Sequence, residues 1–474
     1  MDGSSALAAV AYLAVLMAIG VWAWRRTNNE RDFFIAGQRA GLWATGLATT
    51  AASFSSFVFL GGPGLMSRAG LGALFIILPA GFTAGLLCRV VGGRLRQLSG
   101  AGVLTVPEAL DARFPGGTVR GLAAAAILLG VVAYLGLQLQ GIALLLRSVV
   151  GFANPDLALA VGLAVILAYS VTGGMVAGLY TDVFQGGLMV VAAVAVFLRA
   201  LSVGGGWSRI TADLAAHDPM FLEPTGKLPA VTVFGFFLVF GVGVLGQPHL
   251  LHKFFMIRDP RHVRYLPLIF GGSQVLCLSI WLGIGLTIPA LVATGRLDAL
   301  ASPDHATPVF LMEFLPGAAG GVLVAAILAA SMSTADSFLN IGAAALARDL
   351  PRAVGRPLRH ELRWARAAVP AIALVALLFS RWYADLIALV GTFAFGAFAA
   401  ALTPALAVGL WWERVTARAA AASIVTGVVV ATLLEFFLRD AMAPGALPAA
   451  AALAASFVVL LGVSWLSAAS RSAA

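Results

Sequence analysis

The sequence is poor in charge: charged residues make up 11% of its 474 residues, against about a quarter in a typical soluble domain. Hydrophobic residues make up 61%. Apolar runs of about 18 or more residues recur along the chain, and each is long enough to cross a bilayer as a helix. The short alternating strands that a transmembrane β-barrel requires are missing. This composition excludes an ordinary soluble domain and predicts an all-α polytopic membrane protein.

Cysteine and recognisable catalytic motifs are also scarce. The two cysteines, Cys88 and Cys277, lie in apolar segments, so we expect no disulfide framework. No nucleotide-binding loop, metal-ligand cluster or nucleophile–base pair is visible, and we therefore expect that the chain is not an enzyme. The most basic loop, RDLPRAVGRPLRHELRWAR, has one aromatic residue and lies between two predicted spans, which argues against a nucleic-acid partner.

Thirteen predicted membrane helices account for the apolar runs. They lie near residues 4–24, 41–64, 70–91, 118–150, 156–172, 176–203, 231–251, 265–293, 317–349, 365–380, 384–411, 415–438 and 446–468. With the N-terminus outside, the inner segments hold 22 of the 30 basic residues, as the positive-inside rule requires. We therefore attribute the net charge of +9 to topology, and expect a bacterial-type inner (plasma) membrane, whose lipid bilayer surrounds the chain.

Two of these segments are interrupted by glycine and proline. Segment 41–64 ends in GGPG, and segment 231–251 contains four glycines and one proline. Unpaired backbone at membrane depth is tolerated only where it lines a cavity or is buried in protein. Five spans separate their starts, and this odd number inverts the topology. Counted with the interrupted segment as the first, the third segment of each half, 118–150 or 317–349, is unusually long. Interrupted segments at matching positions of inverted halves indicate the binding site of a secondary transporter, although two kinked helices in an unrelated bundle are the simpler alternative.

A polar stretch, SMSTADSFLN at 331–340, interrupts one of the most apolar helices. Ala330, Ser333, Thr334 and Ser337 follow the spacing of one helix face. Oxygen ligands suit a small hard cation, so this face predicts a cation site. The alternative is that each hydroxyl bonds back to a carbonyl of its own helix.

Five motifs, taken in their order and spacing, make the chain resemble the sodium:solute symporter family, which includes bacterial sodium/proline symporters and sodium/glucose cotransporters. They are DFFIAGQRAG (32–41), AASFSSFVFLGGPG (51–64), GGMVAGLYTDVFQGG (173–187), GQPHLLHKFFMIRD (246–259) and AASMSTADSFL (329–339). The resemblance implies a LeuT-type fold built as a 5+5 inverted repeat, with one helix before the core and further helices after it.

On that basis, residues 1–474 form one transmembrane domain that is expected to work as a monomer. Its predicted parts are an extra N-terminal helix and loop (1–40), repeat 1 (41–203), repeat 2 (231–411) and two C-terminal helices (412–474).

The resemblance also implies where sodium binds. The shared sodium site of the family corresponds here to the carbonyls of Ala51, Phe54 and Ala330 and the hydroxyls of Ser333 and Thr334. Sodium is the cofactor that this implies, and no other metal is expected.

A second sodium, which some members of the family bind, would involve Asp182 together with Ser333, Asp336 and Ser337. A buried carboxylate in a membrane span is a functional hypothesis by default, but capping or gating is an equally good interpretation of Asp182. The proline symporters carry an acidic residue where this chain has Ser53, so the affinity or the access route of sodium is expected to differ.

The predicted solute pocket lies between the two interrupted helices. Its candidate residues are Phe57, Tyr134, Gln138, Phe240, Val244 and Gln247. The proline symporters have a large aromatic residue at the place of Val244. The set offers too few polar groups for a sugar, and favours an amino acid such as proline or a monocarboxylate. Half-helix N-termini can bind such a carboxylate without lysine or arginine.

The predicted function is therefore a sodium-coupled secondary active symporter that imports a small organic solute by alternating access. Two alternatives stay open, namely a proton-coupled symporter and a membrane sensor built on the same fold. His249, at the end of the second interrupted segment, is interpreted as structural rather than as a proton relay.

Overall fold

The computed structural model describes residues 3–27, 29–315, 317–383 and 385–472, and these residues form helices and loops without a β-strand. The helices of the first half are α1 (Gly3–Trp24), α2 (Glu30–Ile35), α3 (Leu42–Ser53), α4 (Gly62–Ala69), α5 (Ala80–Leu87), α6 (Gly93–Gly100), α7 (Val106–Arg113), α8 (Thr118–Leu145), α9 (Pro155–Gly204) and α10 (Trp207–His217). Those of the second half are α11 (Ala230–Val242), α12 (Pro248–Phe255), α13 (Gly272–Ala293), α14 (Ala306–Phe314), α15 (Gly317–Ala344), α16 (Leu350–Ala353), α17 (Glu361–Trp382), α18 (Ile387–Ala407), α19 (Ala417–Phe436) and α20 (Pro448–Ser472).

Within these described ranges, ten helices are long and apolar enough to cross a membrane, judged by length and composition. Some predicted spans are joined in the structure. α9, for example, covers two of them and is kinked at Gly174, whose φ of 53° and ψ of −152° are accessible mainly to glycine. The count of about thirteen spans therefore stays a prediction.

Both predicted interruptions are present. α3 ends before Phe54, which is extended (φ −103°, ψ 131°), and a π-helical turn at Phe57–Gly61 then leads into α4. α11 passes into a 3-10 turn at Gly243–Gly246. Gln247 is extended there (φ −82°, ψ 103°), and α12 starts at Pro248, which suits the first turn of a helix because proline lacks an amide N–H.

α15 and α18 form the centre of the bundle. α15 packs against α1, α8, α9 and α17, and α18 packs against α8, α19, α20 and the turn of the second interruption. The spans of these two helices are almost wholly buried, whereas those of α17, α19 and α20 leave most of their residues on the outside. The polar stretch of α15 is therefore enclosed by other helices rather than facing lipid.

Contacts between distant segments hold both ends of the bundle. At the end predicted to be inside, Arg348 on the turn after α15 lies 2.7 Å from Glu361 of α17 and 3.2 Å from Glu108 of α7. At the end predicted to be outside, the Thr307 hydroxyl donates to the Phe59 carbonyl at 2.8 Å. The inner end thus has a buried cluster of charge pairs, whereas the outer end combines this neutral hydrogen bond with more exposed ion pairs, such as that of Arg439 with Asp385.

Candidate functional site

The hydroxyl of Thr334 lies against the first interruption. Its Oγ1 donates to the Phe54 carbonyl at 2.8 Å and lies 3.4 Å from the Ala52 carbonyl. The last carbonyls of a helix lack amide partners in a following turn, so the end of α3 presents backbone oxygens to α15. Ala51 and Ala330 are both fully buried. The structure therefore brings neutral oxygens of two helices together at this point.

The neighbouring hydroxyl, that of Ser333, lies in different surroundings. It donates to Oδ1 of Asp182 on α9. Oδ2 of Asp182 is 2.6 Å from Nζ of Lys253 on α12, and the same Nζ is 3.2 Å from the Ser337 hydroxyl. All four side chains are buried, and that of Lys253 is 1% exposed. α9, α12 and α15 thus meet at one buried ion pair with two hydroxyl groups.

These contacts show whether the hydroxyls on the polar face of α15 bond to their own helix or to other helices. Neither Ser333 nor Thr334 bonds back to its own helix, which was the alternative to a cation site. Ser331 does so, because its hydroxyl donates to the Ile327 carbonyl at 3.1 Å; it also lies 2.7 Å from the Ser56 hydroxyl. The assignment of Ser333 and Thr334 to sodium stays a prediction, but both hydroxyls face other helices as that assignment requires.

Lys253 was missed as a candidate site residue. From sequence it counted as one of the basic residues of an inner loop, whereas the structure places it in α12 with its ammonium group inside the bundle. A buried charge is strongly unfavourable unless it is paired, and Asp182 provides that pair. The sequence offered two partial signals, a lysine next to an apolar run and an intramembrane aspartate that needed a partner, but it did not show that the two residues meet.

Asp336 belongs to the same turn of α15 but has other partners. Its Oδ1 accepts a hydrogen bond from the Asn340 side chain at 3.1 Å. Its Oδ2 has no partner in the described ranges, and a Cβ placed on Gly178 would be 2.7 Å from it. The glycine therefore permits α9 to approach the carboxyl group. Its predicted role with a second sodium stays a prediction.

A small cavity of about 70 Å³ lies between the two interruptions. Four of the six predicted solute residues line it, namely Phe57, Tyr134, Phe240 and Val244. The ring of Phe57 stacks on that of Phe240 with centroids 5.5 Å apart, and Phe240 stacks on Phe395 at 4.5 Å. This volume is well below the roughly 300–1,000 Å³ of typical ligand pockets, so the rings leave too little room for a solute in this conformation.

The other two predicted solute residues do not line this cavity. Gln138 is fully buried and its Oε1 accepts the Ser56 amide at 3.1 Å. Gln247 is also buried, and its Nε2 donates to the carbonyls of Gly243 and Phe395 at 3.1 and 3.0 Å. Gln138 therefore provides a partner for a backbone amide beside the first interruption, and Gln247 joins the second interruption to α18. In this conformation they act on the backbone rather than on the cavity.

The polar residues that do line the cavity are Ser53, Thr83, Tyr134, His249 and Gln274. The Ser53 hydroxyl donates to the Thr50 carbonyl at 2.7 Å. His249 packs between the rings of Tyr134 and Phe338, with centroids 5.8 and 4.6 Å away. Gln274 was missed from sequence, although a glutamine inside an apolar span was a usable signal. Among the residues that the structure describes, no lysine, arginine, aspartate or glutamate lines the cavity.

Comparisons with known proteins agree with this architecture. The model of a family described as "Sodium:solute symporter family" matches residues 33–427. The osmoregulated proline transporter OpuE of Bacillus subtilis is 28% identical over 88% of this chain and 85% of its own length. The sodium/pantothenate symporter of Escherichia coli is 28% identical over 90% of this chain and 89% of its own.

Two solved structures extend the comparison to the fold. A Na⁺-coupled sialic acid symporter, solved in a substrate-bound outward-open state, superposes with a TM-score of 0.76 at 20% identity, covering 97% of this chain and 98% of its own. MhsT in complex with L-phenylalanine has a TM-score of 0.55 at 15% identity, covering 90% and 98%. The predicted LeuT-type fold is thereby confirmed. Because the relatives are transporters, the expectation that the chain is not an enzyme is confirmed as well.

Proposed function

This chain belongs to the sodium:solute symporter family as a multi-pass membrane protein, and we propose that it imports a small carboxylate with sodium by alternating access. The substrate class is an amino acid such as proline or a monocarboxylate. The membrane is the bacterial-type plasma membrane.

One observation carries the sodium assignment: the Thr334 hydroxyl lies 2.8 Å from the Phe54 carbonyl across the helix interruption. Carbonyl and hydroxyl oxygens are ligands that suit a hard cation. The carbonyls of Ala51, Phe54 and Ala330 and the hydroxyl of Thr334 would hold the ion. Ser333 completes the set because a hydroxyl that donates its hydrogen to Asp182 keeps its lone pairs free for a cation. When bound, sodium supplies the charge that draws α3 and α15 together.

The solute assignment is supported by the cavity and by the relatives. Proline, pantothenate and sialic acid, named for three relatives, each carry one carboxylate. Apolar side chains, several of them aromatic, line most of the cavity here, with Tyr134 and Gln274 among the polar groups. A small, mostly apolar solute with one polar end suits that lining. The Phe57, Phe240 and Phe395 rings have to move apart to admit it, since the present volume is too small.

The test begins with thermal unfolding of the purified full-length chain with proline, other amino acids, monocarboxylates, pantothenate and sialic acid, each in sodium and in choline. Solutes that stabilise the chain more in sodium are then followed as uptake into proteoliposomes. Uptake that persists in choline and increases as the outside pH is lowered would show that protons, rather than sodium, drive transport. Sodium-dependent binding without uptake would favour a sensor.

We also propose that the N-terminus lies outside, from the distribution of basic residues. Single cysteines are introduced into residues 204–230 and 350–364 of a variant that lacks Cys88 and Cys277. An impermeant thiol reagent applied to intact cells should label the first loop and leave the second unlabelled. Labelling of both loops from outside would contradict this topology.

A further inference from the structure

We propose that the ammonium group of Lys253 is a built-in cation that occupies the second cation position of this fold, so that the chain binds one sodium ion rather than two. The proposal rests on the sodium coupling proposed above. It concerns the group formed by Lys253, Asp182, Ser333 and Ser337, which is here named the ammonium site.

The ammonium site contains oxygen ligands that a second sodium would need. Nζ of Lys253 lies 2.6 Å from Oδ2 of Asp182 and 3.2 Å from the hydroxyl of Ser337. The other oxygen of Asp182 already accepts the Ser333 hydroxyl. Three of the four residues predicted to hold a second sodium are therefore engaged with each other or with Nζ. An ammonium carries the same charge as sodium and likewise binds several oxygens.

The charges of this site also disfavour a second ion. Lys253 and Asp182 form a neutral pair, so no net charge of that pair remains to attract a further cation. A sodium held by the same oxygens would lie within a few ångströms of Nζ, where two positive charges repel strongly in a buried environment. The carboxyl group of Asp336 lies close enough to interact with the charges of both Asp182 and Lys253. In the described residues, however, no hydrogen bond or ion pair joins its oxygens to Nζ, and its Oδ1 accepts from Asn340 instead. The residues present therefore do not fit a second sodium.

A purely structural ion pair is the competing explanation. Lys253 joins α12, which follows the second interruption, to α9 and α15, so the pair could simply hold three helices together. Replacing one charge would then destabilise the chain, as happens when a buried pair is broken, but it would not create a new sodium site. The number of bound sodium ions separates the two explanations.

The first measurement is the equilibrium binding of radioactive sodium to the purified full-length chain at constant ionic strength, with choline as the replacement. We expect one sodium per chain and no cooperativity between sodium ions. Two sodium ions per chain would overturn the proposal and leave sodium coupling intact. If no sodium binds and uptake does not depend on sodium, the proposed function itself fails, and this proposal with it.

The second measurement uses variants of the ammonium site. Lys253→Met removes the cation and keeps the length of the side chain, so sodium should enter beside Asp182 and raise the stoichiometry from one to two. The thermal midpoint of this variant should depend on sodium more steeply than that of the wild type, since a ligand that binds only the folded state stabilises it. A folded Lys253→Met chain that still binds a single sodium would overturn the proposal.

Two matched controls complete the design. Lys253→Arg keeps a cation, and its stoichiometry should stay at one. The double variant Lys253→Met with Asp182→Asn removes both charges, so it should bind one sodium and regain stability in choline. If Lys253→Met cannot be purified in either salt, the proposal is tested by the number of sodium ions bound to the wild type and to the double variant. Two sodium ions in either of these would overturn the proposal.

Discussion

Two consecutive residues of α15 place their hydroxyls in opposite electrostatic surroundings. Thr334 faces uncharged backbone carbonyls at the end of α3, whereas Ser333 faces Asp182, whose charge is already balanced by Lys253. Successive helix residues point about 100° apart because a helix has 3.6 residues per turn, so each meets a different neighbour. Under the proposed assignments, similar hydroxyl groups would therefore face an exchangeable ion in one direction and a permanently bound cation in the next.

The comparison is tested most strongly at Thr334. Thr334→Val should raise the sodium concentration for half-activation of uptake by on the order of 10- to 100-fold, because a hydrogen bond to a charged group is worth roughly 1.5–3 kcal/mol. Solute affinity should recover at saturating sodium, since the two sites are coupled only by linkage. The control is Thr45→Val on α3, whose hydroxyl bonds back to Gly41 and should leave sodium activation unchanged. Equal sodium curves for both variants would remove Thr334 from the sodium site.

Ser333→Ala should have a smaller effect. Its hydroxyl is shared between Asp182 and the proposed sodium, and Asp182 keeps Lys253 as a partner when the hydroxyl is lost. We expect half-activation by sodium to rise by about 5- to 10-fold, near the worth of an ordinary net hydrogen bond. The sodium concentration for half-activation is measured by titrating solute uptake with sodium. An effect larger than that of Thr334→Val would reverse the ranking of the two positions.

The solute side of the comparison is tested at Gln274, a polar residue of the cavity. Gln274→Leu should raise the solute concentration for half-maximal uptake by about 2- to 5-fold, consistent with one lost neutral hydrogen bond, and leave sodium activation at saturating solute unchanged. Gln97→Leu, on the exposed side of α6, is the control. A shift in sodium activation alone would assign Gln274 to the ion rather than to the solute.

The smallest expected effect concerns a buried carboxyl without any cation. Oδ2 of Asp304, in the loop before α14, accepts the Ile387 amide at 2.9 Å, and Oδ1 has no partner in the described part of the chain. Burial raises the pKa of Asp304 to about 6, with a further contribution from Asp385 and an opposing one from the Ile387 amide. An unfolded aspartate has a pKa of about 3.9. Between these values the folded chain binds more protons, so its stability falls as pH rises from about 4 to 6.

Asp304→Asn removes this titration. Its thermal midpoint should fall less than that of the wild type between about pH 4 and pH 6, measured by thermal unfolding in one detergent at constant sodium. Parallel pH curves for the two chains would show that Asp304 does not hold its proton. Together with the Lys253 variants, this measurement tests whether the charge of a buried carboxyl group is neutralised by a neighbouring cation or by a bound proton.

Much of this arrangement could be predicted from the sequence. Long apolar runs set the helices, and glycine with proline set both interruptions, because these are local effects of the backbone. The polar face of α15 was also visible from its spacing. Lys253 was not, because its partner Asp182 is 71 residues away on another helix, and spacing along one helix does not show which faces of two helices meet.

Gln138 and Gln247 show a second limit. Both are polar residues near an interruption, and so both were predicted to contact solute. In the structure they bind the amide of Ser56 and the carbonyls of Gly243 and Phe395. An interrupted helix leaves backbone groups that need partners as much as a solute does, and a sequence cannot separate these two demands.

If Lys253 occupies the second cation position as proposed, its contact with Asp182 would also limit how far the chain can concentrate its solute. A bound sodium is released inside and its charge stays there, whereas an ammonium on a side chain returns with the empty carrier and moves no net charge across the bilayer. Each transported charge is worth about 2.3 kcal/mol at 100 mV, which corresponds to roughly a 50-fold accumulation ratio. A chain that carries its second cation in its own sequence gives up that factor, together with the second contribution of the sodium gradient. In return it needs only one sodium ion for each solute molecule that enters.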